Sequence, residues 1–188
     1  MIVCVSGTKG ERVVRKCLLS TRRFSVEQRT YERPGADPTA REVVVHPGAV
    51  VILPLLDRDH IVMIRQYRHA PEEELWELPA GTLEPDEAPI DTARRELLEE
   101  TGYEAGTLEP FIEFYTSPGI LTERMRAFVA TNLRWSGQRL TASEQIAVEQ
   151  IGLGIARRKL IKGELRDAKS IAVLGTYFAK RDEQEAHA

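Results

Sequence analysis

A mixed α/β core preceded by a small antiparallel β unit is the architecture this sequence predicts, on three observations. Extended segments rich in β-branched and aromatic residues, broken by turn residues, fill the chain between Val13 and Val45. A nearly unbroken apolar run over residues 49–56 reads as a strand buried on both faces. Residues 89–101 carry apolar side chains at helical spacing between a proline and a glycine. The chain has 188 residues, enough for one good-sized domain or a domain with an accessory unit.

The elements follow in order. Residues 13–19 and 24–31 are expected strands, with a break at 20–23. Pro34-Gly-Ala-Asp-Pro38 is turn chemistry, and residues 42–45 form a third strand. This unit closes near residue 45, and the core occupies 46–188. The core opens with the 49–56 strand, turns at Asp57-Arg-Asp59 and continues in a strand over 61–67. After the helix come strands near 110–115, 126–130 and 147–152, the last preceded by a polar loop over 134–145. Helices near 154–162 and 168–180 finish the fold, ahead of a charged tail expected to fray.

Composition narrows the function. A content of 42% hydrophobic and 29% charged residues is ordinary for a globular protein. No apolar run has the length of a membrane span, and the first residues lack the apolar core of a signal peptide. Cys4 and Cys17 have no metal-binding spacing. The expectation is a cytoplasmic protein with no membrane partner. A net charge of −3 argues against nucleic acid as a partner.

The segment GTLEPDEAPIDTARRELLEETGY, residues 81–103, holds seven acids in 23 residues. Pro89 suits a first helical position, and Gly102 suits the left-handed stop. At about 100° per residue, Glu96, Glu99 and Glu100 share an arc of roughly 100° beside the core-facing arc of Ile90, Ala93 and Leu97. The carboxylates therefore line the edge of the buried face. Glu96 repels Glu99 and Glu100 at i+3 and i+4, each pair costing a few tenths of a kcal/mol. Arg95 compensates Glu99 only in the weaker orientation. A hard divalent cation reverses the sign of these terms, because Mg²⁺ takes oxygen ligands. Metal binding is the simplest cause of the cluster.

The same residues resemble a complete Nudix box, with Gly81, Glu87, Arg95, Glu96, Leu97, Glu99, Glu100 and Gly102 in the family's places. Tyr103 departs mildly, where the family more often has an aliphatic. The resemblance implies an α/β/α sandwich with a mixed sheet, and hydrolysis of a diphosphate linked to another group. It implies Glu96, Glu99 and Glu100 as metal ligands, joined by the backbone carbonyl of Ala80, with Glu87 and Arg95 orienting them. Mg²⁺ is the implied cofactor, with Mn²⁺ or another divalent cation as substitutes.

Outside the box the chain is similar to the ADP-ribose pyrophosphatase subgroup. Pro118 falls 16 residues after Gly102, and the motifs Arg41-Glu-Val-Val44, Arg65-Gln-Tyr-Arg68, Glu77-Leu-Pro-Ala-Gly81 and Gly163-Glu-Leu-Arg-Asp-Ala-Lys169 stand in the matching order. A nucleotide sugar is the implied small-molecule partner. Arg41 and Arg68 suit phosphate oxygens, Glu123 suits ribose hydroxyls, and Pro118-Gly119 shape the pocket wall. Phe24 or Tyr31 stacks on adenine in this reading. The subgroup also implies a homodimer through the N-terminal strands, and a catalytic base on the 134–145 loop, where Glu144 stands nearly alone. Glu99 and Glu100 are the alternative bases, and Arg95 completes the catalytic set. Competing functions are a pyrophosphatase for another nucleoside-diphosphate sugar, such as GDP-mannose, and a non-catalytic module that senses ADP-ribose.

Overall fold

Strand pairing divides this molecule into three sheets, and the computed structural model describes them through residues 12–140 and 145–187. Two units are distinguished: Met1–Gly48 together with Tyr115–Arg124, and Ala49–Phe114 together with Met125–Ala188.

In the first unit, β1 (Arg12–Ser20), β2 (Ser25–Glu32) and β3 (Thr39–Val45) form an antiparallel meander in that order. Thr21 shapes the first turn: its hydroxyl donates to the Phe24 carbonyl at 2.7 Å and accepts the Phe24 N–H at 3.0 Å. Gly35, at φ +78°, turns the chain before β3. The Tyr115–Arg124 segment belongs with these strands. The Val44 N–H donates to the Ile120 carbonyl at 2.8 Å, and the Thr122 N–H donates to the Val44 carbonyl at 2.9 Å.

The second unit is built on β4 (Ala49–Pro54), whose six residues are all buried. Alternation along it divides the core into two layers. Val50 and Ile52 pack with Ala93 and Leu97 of α1 (Pro89–Thr101), whereas Val51 and Leu53 pack with Ala156 of α2 (Leu153–Ile161) and Val173, Leu174 and Phe178 of α3 (Ala168–Ala186). Helices thus cover both sides, giving the α/β/α sandwich. Two sheets lie between them. One has the order β10–β5–β6, antiparallel, from Ile146–Gly152, His60–Arg68 and Glu73–Glu77. The other has the order β7–β4–β9–β8, from Ala80–Thr82, β4, Arg124–Trp135 and Tyr103–Tyr115. It is mixed, because β4 runs antiparallel to β7 and parallel to β9.

Several expectations need correction. β6 and β7 were not anticipated, since a charged five-residue strand and a three-residue one carry no periodic signal of their own. β8 and β9 extend well beyond 110–115 and 126–130, and β9 runs through Arg134 and Trp135, the first residues of the expected loop. The last helix is longer than expected: α3 runs past residue 180 to Ala186, with Arg157 bonded to Asp182 at 2.9 and 2.5 Å and Arg181 bonded to Glu185 at 3.0 Å. Ile90, expected in the core, is 37% exposed in the first turn of α1, while Ala93 and Leu97 are fully buried. No described helix is long and apolar enough to cross a membrane.

Candidate active site

The 81–103 segment folds from its punctuation. Pro89 opens α1 without needing a partner for its missing N–H. Gly102 closes it at φ 77°, its N–H returning to the Leu98 carbonyl at 2.9 Å. The chain after β9 finishes the end: Ser136 N–H donates to the Gly102 carbonyl (2.7 Å), Arg139 N–H to that of Glu99 (3.1 Å), and the Gln138 side chain to that of Glu100 (2.7 Å). These bonds satisfy carbonyls that a helix end otherwise leaves to water.

Arg95 is the hub of the acidic face. Its Nε and Nη2 donate to both oxygens of Glu87, at 3.0 and 2.9 Å, and its Nη1 donates to Glu96 at 2.7 Å and Glu99 at 3.2 Å. The bond from Arg95 holds the Glu87 carboxyl down at about 2, and Glu87 in turn raises the Arg95 guanidinium. The pair is a rigid fork.

Three glutamates on one helix edge meet three environments. Glu99 is 38% exposed, Glu96 14%, and Glu100 is buried. Burial pushes the Glu100 carboxyl up to about 8, and the Glu96 charge adds to this, against the Ala80 N–H, which donates to Glu100 at 2.9 Å. Gly81 makes room for the row. A Cβ there would stand 1.9 Å from the Glu96 carboxyl carbon.

Among the described residues, no three carboxylate, imidazole or thiol groups converge as a ready metal site. Arg95 takes oxygens of Glu96 and Glu99, and Glu100 is turned to the Ala80 peptide. The donor chemistry fits a hard divalent cation, being all oxygen and gathered on adjacent helix turns. Such an ion would draw Glu96 and Glu99 from Arg95, which keeps Glu87.

Arg68, expected to suit phosphate oxygens, is held by a carboxylate across the β5–β6 ladder. Its Nε and Nη2 bond both oxygens of Glu77, at 2.7 and 2.6 Å. Glu77 is 1% exposed and also receives the Lys169 ammonium. Burial acts to raise the Glu77 carboxyl, but these two cations outweigh it and hold it low. Neither Glu77 nor Lys169 was singled out from sequence, although both lie in motifs that carry the subgroup resemblance.

The first unit holds the other expected contacts. Arg41 is exposed on β3, with Nη1 on the Ala40 carbonyl at 2.8 Å. Glu123 accepts from the Thr116 hydroxyl at 2.7 Å and lies 3.4 Å from His46 Nδ1. Pro118 and Gly119 sit in a turn closed by Ile120 N–H to the Ser117 carbonyl at 3.1 Å. Phe24 is 38% exposed beside the β1–β2 turn. Glu144 lies outside the described residues.

The NUDIX domain model matches residues 45–170. An ADP-ribose pyrophosphatase of Bacillus subtilis is 40% identical over 141 residues, covering 74% of this chain and 76% of that protein. A GDP-mannose pyrophosphatase of Cronobacter sakazakii is 32% identical over 179 residues, covering 86% and 92%. A crystal structure of an ADP compounds hydrolase superposes with a TM-score of 0.79 over 97% of this chain and 98% of that one, at 22% identity, and so shares the fold. The family model spans the box, the buried β4 and the start of α3, and with these the chain belongs to the Nudix hydrolase family.

Proposed function

We propose that this protein hydrolyses ADP-ribose to AMP and ribose 5-phosphate with a divalent cation, Mg²⁺ in the first place and Mn²⁺ or another as substitutes. The observation that carries the reading is the row of Glu96, Glu99 and Glu100 along α1, with Arg95 forked between Glu87 and that row. The choice of ADP-ribose rests on the similarity to a protein of that activity and on Arg68, Arg41, Glu123, Pro118 and Gly119, which suit a two-ended nucleotide sugar.

Glu96, Glu99, Glu100 and the Ala80 carbonyl would hold the ion. When bound, it supplies charge neutralisation for the diphosphate and a more acidic water. Glu87 keeps Arg95 extended along the helix, so Arg95 serves as the standing counter-charge of the row. Water adds to one phosphorus, the P–O–P bond breaks, and a carboxylate takes the proton of the water. Glu144 is the candidate for that carboxylate, with Glu99 and Glu100 as alternatives. Glu144→Gln is expected to lower kcat by about 10²–10⁴-fold, as for a lost general base. A fall below about fivefold would move the base into the box.

Residues 1–45 serve as the dimerisation unit and contribute Phe24 and Arg41 to the adenosine end, and residues 46–188 carry the chemistry. The support is the outer edge of β1, which among the described residues pairs with no strand but β2 and most of whose residues are exposed, an edge that needs a cover. A homodimer supplies one.

The similarity to a GDP-mannose pyrophosphatase over more of the chain favours a second reading, a GDP-mannose hydrolase. Turnover of ADP-ribose, GDP-mannose and nucleoside triphosphates compared by kcat/KM decides. ADP-ribose is expected to lead. A tenfold or larger lead for GDP-mannose, about 1.4 kcal/mol, overturns the substrate while the family stands.

A further inference from the structure

Three motifs that run far apart in sequence meet at one carboxylate. Arg68 ends the Arg65–Arg68 motif, Glu77 opens Glu77–Gly81, and Lys169 closes Gly163–Lys169. Glu77 faces Ile64 across the β5–β6 ladder, so Arg68, four residues further along β5, reaches back down the hairpin to it. Lys169 comes from the first turn of α3 and also bonds Asp167 at 2.9 Å. Asp167 caps α3 by accepting from the Ser170 N–H at 3.0 Å, and the Ser170 hydroxyl accepts the Leu78 N–H at 2.7 Å. Glu77 is thus fixed from the neighbouring strand β5 and from α3.

We propose that Glu77 is a positioning residue for the diphosphate: it holds the Arg68 guanidinium in a single plane and leaves the other edge to the phosphate oxygens. This rests on the reading that Arg68 contacts a nucleoside diphosphate. Glu77 is 1% exposed while the Arg68 side chain is 39% exposed, so the pair is anchored on the protein side and open on the other. A guanidinium fork makes its remaining N–H groups point in fixed directions once two are bound. The four charges of Arg68, Lys169, Glu77 and Asp167 sum to zero, so Arg68 can meet an anion without leaving its partner. Glu77 stands three residues before Ala80, whose N–H donates to Glu100 at 2.9 Å, which places the pair beside the box. A free arginine loses rotamer freedom when it binds, and one already held loses little.

The test is affinity by calorimetry in EDTA, where no turnover occurs, with ADP-ribose and with GDP-mannose as probes. Glu77→Gln and Arg68→Lys, which keeps the charge but not the fork, are each expected to weaken binding about tenfold. Adding Glu77→Gln to Arg68→Ala is expected to cost nothing further, because both act on one contact. With metal present, Glu77→Gln should raise KM and leave kcat within about threefold. Wild-type affinity in either single variant, or additive losses in the double variant, overturns the proposal. If Glu77→Gln does not fold, Glu77→Asp, which keeps the charge but draws the carboxylate back from Arg68, takes its place with the same expected loss and the same overturning result. If only GDP-mannose binds, the substrate reading falls and Glu77 is judged on that probe. If the wild type binds neither, both fall.

Discussion

The carboxyl group of Glu96 occupies the space that a side chain on residue 81 would need, with Cδ and Oε1 each 1.9 Å from an ideal Cβ on Gly81. The glycine that opens the box is therefore there to seat a glutamate of the helix. Gly81→Ala should push Glu96 aside and spare the fold, because the displaced atoms end a flexible chain. The expected result is a kcat lowered by about 10²-fold or more, within the range for a misplaced catalytic group, with a near-normal melting temperature. Normal turnover would show that Glu96 can act from another position.

Glu100 couples the site to stability. Its carboxyl stands at about 8 in the folded protein against 4.5 in the unfolded chain, so folding favours the protonated form. That contribution is complete below pH 4.5, declines as pH rises, and is gone above about 8. In metal-free protein, Glu100→Gln should remove this decline, and its melting temperature relative to wild type should climb between pH 5 and pH 8. The same variant should lower kcat by about 10²–10⁴-fold with metal present. A melting difference that stays flat with pH would contradict the burial of an ionisable carboxyl here.

Gly102 has two reasons to lack a side chain. Its φ is 77°, and a Cβ would meet the Gln138 nitrogen at 2.7 Å and the Gly137 carbonyl carbon at 2.9 Å. Backbone cannot yield as a glutamate tip can. Gly102→Ala should cost about 1–3 kcal/mol, lowering the melting temperature by about 2–4 °C for each kcal/mol in a chain of this size. Thermal unfolding measures it, and an unchanged midpoint would mean that the segment after β9 is not docked on α1.

Deleting residues 1–34 removes β1 and β2 and should leave a monomer with a raised KM for ADP-ribose. Light scattering at micromolar concentration reads the first effect and steady-state kinetics the second. A full-length protein that is already monomeric contradicts the dimer.

Helix α1 was legible because local residues define it. Pro89 and Gly102 mark its ends, and the spacing of Ala93 and Leu97 marks its buried side. β4 was legible because its apolar run admits little else. Ile90 misled, since the same spacing continues into a first turn that the core does not reach. β6 could not be read alone, because three of the five residues of Glu73–Glu77 are acidic and the segment becomes a strand only against β5. Glu77 hid for the same reason. Nothing local announces a buried glutamate when its partners stand 9 and 92 residues away. The glutamate row and its arginine were readable as a helical pattern, but the direction in which Arg68 is held was not.

The parallel ladder between residues 49–54 and 125–130 encloses the whole box in the loop that it closes. On a ribosome, β4 emerges first and then lacks its parallel neighbour β9 until some 75 further residues have been made, at about 5–20 residues per second. Closing so long a loop is slow compared with forming α1. The nascent helix therefore carries its glutamates before Gly102 is capped by Ser136 and before Lys169 reaches Glu77. Until then the central strand has only the three-residue β7 to pair with, an apolar segment open to chaperones and to aggregation during synthesis.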